Sequence, residues 1–183
     1  WAMDGGGAIM NQTIHTIDLL VAMLGVPTEV FAYAARLAHE RIEVEDTAVA
    51  VVRFGSGALG VIHGTTAAYP GLDASVRVYG TKGSAVISDD ELIYLHRNAG
   101  QAPELRMPVP AADTNQVTDA DALTAEQRRL GEAHVAQFAD FVDAIRSDRP
   151  VRVGTQEARA VLAVVLGLYR SAVAGEPVLI ENS

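Results

Sequence analysis

The chain has 183 residues and a formal charge of −9, from 14 Lys and Arg against 23 Asp and Glu. That balance argues against nucleic acid as a partner, because neutralising phosphate takes clustered basic side chains, and the one dense spot, Arg128-Arg129, is flanked by Glu126 and Glu132. The absence of cysteine excludes disulfides, thiolate metal sites and Cys nucleophiles, while 49% apolar and 20% charged residues suit a chain that folds around a core.

The chain opens at Trp1 rather than Met, in what reads as mid-protein sequence, so a preceding segment is expected. Gly5-Gly6-Gly7 leads into an apolar stretch, 8–24, stopped by Gly25-Val26-Pro27, which predicts a mostly buried helix. From Glu29 to Arg97 short β-branched runs predict strands at 29–38, 46–54, 58–66, 74–80, 83–88 and 91–96. Gly55-Ser56-Gly57 and Gly80-Thr81-Lys82-Gly83 read as hairpin turns, which favours an antiparallel meander. Residues 98–123, with Pro103, Pro108 and Pro110, read as a long loop. A capping box at Thr124–Gln127 predicts a helix that buries Val135, Phe138, Phe141, Val142 and Ile145 and ends at Asp148-Arg149-Pro150. A last helix over 155–174 carries Val161, Leu162, Val165, Leu166 and Tyr169 on one stripe, and Val178-Leu179-Ile180 reads as a final strand. Helix, then strands, then helices predicts an α+β fold.

The first helix holds the candidate site. At about 100° per residue, Asn11, His15 and Asp18 lie within about 60° of one another. Two readings are open: a satisfied polar network or solvent-facing stripe, and a catalytic site. In the catalytic reading His15 exchanges a proton with a hydroxyl near neutral pH, and Asn11 donates to or accepts from that hydroxyl. Asp18 either fixes the imidazole tautomer or bonds to the sheet. Gly6 and Gly7 allow close backbone approach, and the helix start beside them offers amides to an anion or oxygen ligand. Gly55–Gly60 matches G-x-G-x-x-G, but strand pattern continues after it, so a hairpin and not a dinucleotide cradle is expected. His15 and Asp18 are too few for a metal site, and His39, His63, His96 and His134 are scattered surface or sheet residues, so no metal is expected.

The stretch Gly5-Gly6-Gly7-Ala8-Ile9-Met10-Asn11-Gln12-Thr13-Ile14-His15-Thr16-Ile17-Asp18 resembles a signature of the Gfo/Idh/MocA oxidoreductases, roughly G-G-G-x-x-x-[DN]-x-G-x-H-x-x-D. Collinear matches follow at Glu45-Asp46-Thr47-Ala48, Phe54–Ala58, Gly80–Ser84 and Phe138–Ile145, so the resemblance spans nearly the whole chain. It implies that residues 1–183 form the C-terminal substrate-binding and oligomerisation domain of an NAD- or NADP-dependent dehydrogenase or reductase, an open, mostly antiparallel sheet with helices on one face. The substrate would be a sugar, polyol or related hydroxy compound. The implied N-terminal Rossmann domain, and the Lys it places near the nicotinamide, lie outside the chain, so no cofactor is expected on the chain alone and the isolated chain is expected to be inactive. By position His15 is the implied proton-transfer residue. Asn11 stands where many members have Asp, so an Asn11→Asp variant is expected to keep activity. Thr13 replaces the usual Gly and is expected to narrow the pocket. The alternative from another class is a non-catalytic ligand-binding or dimerisation module with the same fold.

Strand 47–54 alternates Thr47, Val49, Val51, Arg53 with Ala48, Ala50, Val52, Phe54, so both faces are largely apolar. Three helices cover one face of about six strands, and the other calls for a homodimer or homotetramer through the sheet, or for cover by the implied N-terminal domain or the 98–123 loop. No apolar run reaches about 18 residues and no leader pattern opens the chain, so no membrane partner is expected and the cytoplasm is the expected compartment.

Overall fold

The structure is a computed structural model that describes residues 5–68, 71, 74–89, 91–97, 104–105 and 134–181. Helix α1 starts with a π turn, Ile9–Thr13, and continues as α-helix over Ile14–Leu24. Strands β1 (Pro27–Ala35), β2 (Thr47–Phe54), β3 (Leu59–Thr65), β4 (Ser75–Gly80), β5 (Gly83–Ser88), β6 (Glu91–Arg97) and β7 (Glu104–Leu105) follow. Helix α2 is described over 134–147, α3 is Thr155–Ala174, and β8 is Val178–Leu179.

All pairings are antiparallel, and the fold is α+β as the sequence predicts. The strands divide, however, between two four-stranded sheets, in the orders β3-β2-β1-β8 and β4-β5-β6-β7. After Thr65 the chain turns away from its sheet. The Thr66 amide donates back to the Asp46 carbonyl and the Ala67 amide to Thr65 Oγ1, so β3 and β4 are not joined by a hairpin. The two glycine turns do form hairpins. At the first, Phe54 donates to the Ala58 carbonyl, and Gly57 takes a φ of 87°, where a side chain is disfavoured.

The core lies on the inner face of the first sheet. Register places Val30 opposite Val52, Ala32 opposite Ala50, and Ala50 opposite Ile62, and all are buried. Helix α3 covers them with Val161, Val164, Val165 and Leu168. This stripe is turned from the predicted one: Leu162 and Leu166 stay exposed, because the helix follows the i, i+3, i+4, i+7 positions nearest β1. Gly167 lets α3 sit close, since a Cβ there would meet Val30 and Ile180 at 3.3 Å. Strand β8 reaches only Glu29 and Val30, and beyond it the Ala32 amide donates to Ser171 Oγ, which donates in turn to the Glu176 carbonyl. Ile180 lies past the end of β8 but is buried and donates to the Thr28 carbonyl.

The outer face of this sheet exposes Tyr33, Val49, Val51 and Val61, so β2 is apolar on both sides as its alternation predicts. Three expectations need correction. Val135, Phe138, Phe141, Val142 and Ile145 of α2 are exposed and Ala144 is its buried contact, because periodicity identifies an apolar face but not its cover. Within 98–123, residues 104–105 form β7 against β6; the rest of that stretch and the capping box at 124–127 lie outside the described residues. Helix α1 is only partly buried, with Ile9 and Ile17 its fully enclosed apolar side chains.

Between β1 and β2 the chain is held by Asp46. Its carboxylate is fully buried and accepts the amides of Leu37, Ala38 and His39 at 2.8–3.1 Å. The His39 amide first, then that of Leu37, holds the carboxyl well below the usual carboxylate range. A folded-state pKa below the unfolded value contributes stability above about pH 4, and that contribution is lost as the pH falls. Asp46→Asn is therefore expected to lower the thermal midpoint at neutral pH by a few degrees. It should also flatten the further decline of that midpoint in acid, as followed by circular dichroism.

Candidate functional site

The site residues sit at the start of α1, and their own side chains shape it. Asn11 Nδ2 donates to the carbonyls of Gly6 (2.8 Å) and Gly7 (3.3 Å), and Thr13 Oγ1 donates to that of Ala8 (3.1 Å). Side chains that bond to nearby carbonyls compete with the α-helical ladder. The Ile14 amide reaches back five residues, to Ile9, and the first turn is a π turn. Single π turns inside helices are frequent at functional sites. Spacing at 100° per residue does not reveal this turn.

Asn11, His15 and Asp18 are exposed on one side of α1. With its amide nitrogen committed to the backbone, Asn11 presents Oδ1 as a hydrogen-bond acceptor. Among the described residues no hydrogen bond joins Asp18 to His15.

Gly6 and Gly7 are buried, and close packing explains both. A Cβ on Gly6 would lie 2.6 Å from the Tyr169 hydroxyl, and one on Gly7 would overlap the Glu45 carbonyl. The amides beside them are not free for a ligand. Ala8 donates to the Glu45 carbonyl (3.0 Å), Ile9 to Glu45 Oε1 (3.0 Å) and Gly7 to the Tyr169 hydroxyl (3.4 Å). Tyr169 donates to the same Glu45 Oε1 at 2.8 Å. Burial first, and then the carboxylate, push the Tyr169 phenol up to about 12. Sequence reasoning missed Glu45 and Tyr169; the signal was the pair of glycines, which demand a close neighbour.

Around the shoulder of α1 from Asn11 and His15 lies a cleft of about 590 Å³, at the break between the two sheets. Gln12, Thr16, His63, Thr65, Ser75 and Arg77 supply its polar lining. His63, read from sequence as a sheet residue, faces this cleft from β3. Thr13 points toward β3, where a Cβ on Gly64 would overlap its hydroxyl. Its added bulk is thus taken up partly by the bare backbone of Gly64. Among the described residues no three His, Asp or Glu side chains are grouped to hold a metal ion. The G-x-G-x-x-G match falls in the β2–β3 hairpin with a strand after it, and the amides at the start of α1 are taken, so neither forms a diphosphate cradle.

Residues 1–86 match the family model for the GFO/IDH/MocA C-terminal domain, so this stretch of the chain is similar to that domain. The myo-inositol 2-dehydrogenase of Thermotoga maritima is 43% identical over 82 residues, which cover 43% of this chain and 25% of that enzyme. Among solved structures, the WlbA dehydrogenase from Bordetella pertussis, in complex with NADH and UDP-GlcNAcA, superimposes with a TM-score of 0.73 at 31% identity. The match covers 96% of this chain and 48% of that one. Levoglucosan dehydrogenase, in complex with NADH and levoglucosan, shares the fold with a TM-score of 0.77 at 22% identity, covering 98% of this chain and 51% of its own. The chain thus spans about half the length of the solved structures it matches.

The contact between Thr13 and Gly64 is testable. Gly64→Ala should destabilise the chain by about 1–3 kcal/mol through overpacking. Thr13→Ala alone should cost about 1 kcal/mol for the lost hydrogen bond. In urea unfolding the double variant should be more stable than the sum of the two costs implies.

Proposed function

We propose that this chain is the substrate-binding and catalytic half of an NAD- or NADP-dependent dehydrogenase or reductase. Its substrate is a sugar, polyol or related hydroxy compound. The observation that carries the reading is the open Asn11–His15 face on α1, within the stretch that is similar to the GFO/IDH/MocA C-terminal domain. The substrate hydroxyl lies against this face. His15, whose ring nitrogens can both accept and donate a proton, takes or returns the hydroxyl proton. Asn11 Oδ1 accepts a hydrogen bond from the substrate and orients it. The hydroxyl- and amide-lined cleft beside them suits a polyhydroxylated ligand. The cofactor is assigned in this reading to a Rossmann half outside residues 1–183, which form one domain of the complete enzyme; the G-x-G-x-x-G match lying in a hairpin followed by a strand supports that assignment. The relatives support this assignment, since the WlbA structure contains NADH and the Thermotoga enzyme is named as a dehydrogenase of myo-inositol.

In the complete enzyme, His15→Ala should lower turnover by roughly 10²–10⁴ with the fold intact. Near-normal turnover at pH 7 would leave the non-catalytic module as the reading. The hydrogen bonds of Asn11 revise one expectation. In Asn11→Asp a carboxylate would face the carbonyls of Gly6 and Gly7, which cannot donate to it. That variant should lose activity rather than keep it, as steady-state kinetics will show.

The same proposal includes a homodimer or homotetramer formed through the outer face of the first sheet, where Tyr33, Val49, Val51 and Val61 are exposed together. Light scattering of the chain at tens of micromolar should give at least twice the monomer mass, and Val51→Arg with Val61→Arg should reduce it to a monomer. A monomer before substitution would remove this face from the assembly.

A further inference from the structure

The clasp at the start of α1 goes beyond close packing. Glu45 is 8% exposed, yet its two carboxylate oxygens are used unequally. Oε1 accepts both the Ile9 amide and the Tyr169 hydroxyl, while Oε2 is buried and has no hydrogen-bond partner among the described residues. Leaving a carboxylate oxygen buried and unpaired is costly, and such groups are rare. The start of a helix is one place that favours the charge, because unpaired amides concentrate partial positive charge there. In many helices that place is filled by a bound anion. Here the chain supplies the anion itself, from 36 residues further along, and the hydroxyl that steadies it from 124 residues beyond that.

What this clasp fixes is the turn that carries the proposed site. Glu45 holds Ala8 by its carbonyl and Ile9 by its carboxylate, the two residues that open the π turn. The carbonyls of Gly6, Gly7 and Ala8 are thereby presented to Asn11 Nδ2 and Thr13 Oγ1. Gly7 passes so close to Oε2 that a Cβ would lie 2.6 Å away, so the loop has little room to shift. We propose that Glu45 is a positioning residue, the built-in anion at the start of α1 that, steadied by Tyr169, sets the π turn from which Asn11 and His15 project. Its functional meaning rests on the reading of Asn11 and His15 as the reacting face.

The test has two arms. In the chain itself, Glu45→Ala should speed amide exchange at Ala8 and Ile9 by at least about tenfold, measured by NMR, while Leu168 in α3 stays within about twofold. Glu45→Gln, which keeps an acceptor oxygen, should recover part of the protection. Tyr169→Phe should fall between wild type and Glu45→Ala. These two variants carry the test should the alanine variant fail to fold. Asp46→Asn loosens the adjoining turn without touching α1 and should leave Ile9 protected. Wild-type protection at Ile9 in Glu45→Ala, or equal loss in Asp46→Asn, overturns the proposal. In the complete enzyme, Glu45→Ala should lower kcat by about tenfold or more with a smaller change in KM, and Glu45→Gln should restore part of it. If His15→Ala abolishes turnover and Glu45→Ala does not, the positioning role falls and the role of His15 stands. If His15→Ala leaves turnover intact, the reading of the reacting face fails, and the exchange arm alone decides whether Glu45 sets the turn.

Discussion

The inner face of the first sheet is narrow, and the rest of the molecule depends on it. Ala32, Ala48 and Ala50 occupy its centre, and Gly64 faces α1 at its edge. Small side chains leave little apolar area per residue, so stability has to come from helices that approach closely. Gly167 in α3 and Gly64 in β3 are the points where that approach is tightest. With α3 against β1 and α1 against β3 and α3, the layer fixes where α1 begins. Tyr169, on the same helix as the core residues Val165 and Leu168, reaches the loop before α1 from there. The geometry of the candidate site is thus inherited from the core.

Polar groups complete what apolar packing leaves undone. Strand β8 is too short to pair along β1, and the Ser171 hydroxyl takes the amide that a longer strand would have met. Asp46 gathers three successive amides where the chain leaves β1. Glu45, its neighbour, turns toward α1 and α3 and does the same for a helix start. Adjacent acids thus point to different parts of the fold, one closing a turn and the other joining three segments. Both put negative charge on backbone amides rather than on basic side chains, a pattern that suits an acidic chain with 14 Lys and Arg.

Much of this was legible in the sequence. Short β-branched runs located β1 to β6 to within a few residues, and glycine pairs marked both hairpins. The Asn11–His15–Asp18 stripe was visible because a helix repeats its faces locally. The break between the sheets was not, since strand partnership is a non-local choice. Nor was the exposure of Phe138 and Phe141, because an amphipathic pattern cannot say whether its apolar side finds cover. The clasp was hidden for the same reason: Glu45 and Tyr169 lie far from Gly7 in sequence, and only the demand for bare backbone at Gly6 and Gly7 hinted at them. Thr13 shows the converse, since its bulk was plain but its direction, toward Gly64, required the packed structure.

The π turn also governs how the site tolerates changes in chain length. A π turn holds one residue more than the α turn it replaces. Between the clasped residues Ala8 and Ile9 and the first regular turn at Ile14, the chain therefore carries a single residue of slack. Losing one residue there can be absorbed by tightening to an α turn, with His15, Asp18 and the buried Ile17 keeping their directions. Gaining one cannot be absorbed in the same way. It would rotate the helix beyond by about 100° and exchange its buried and open sides. Length variation in this segment is therefore permitted in one direction only, a constraint set by geometry rather than by the identity of any residue.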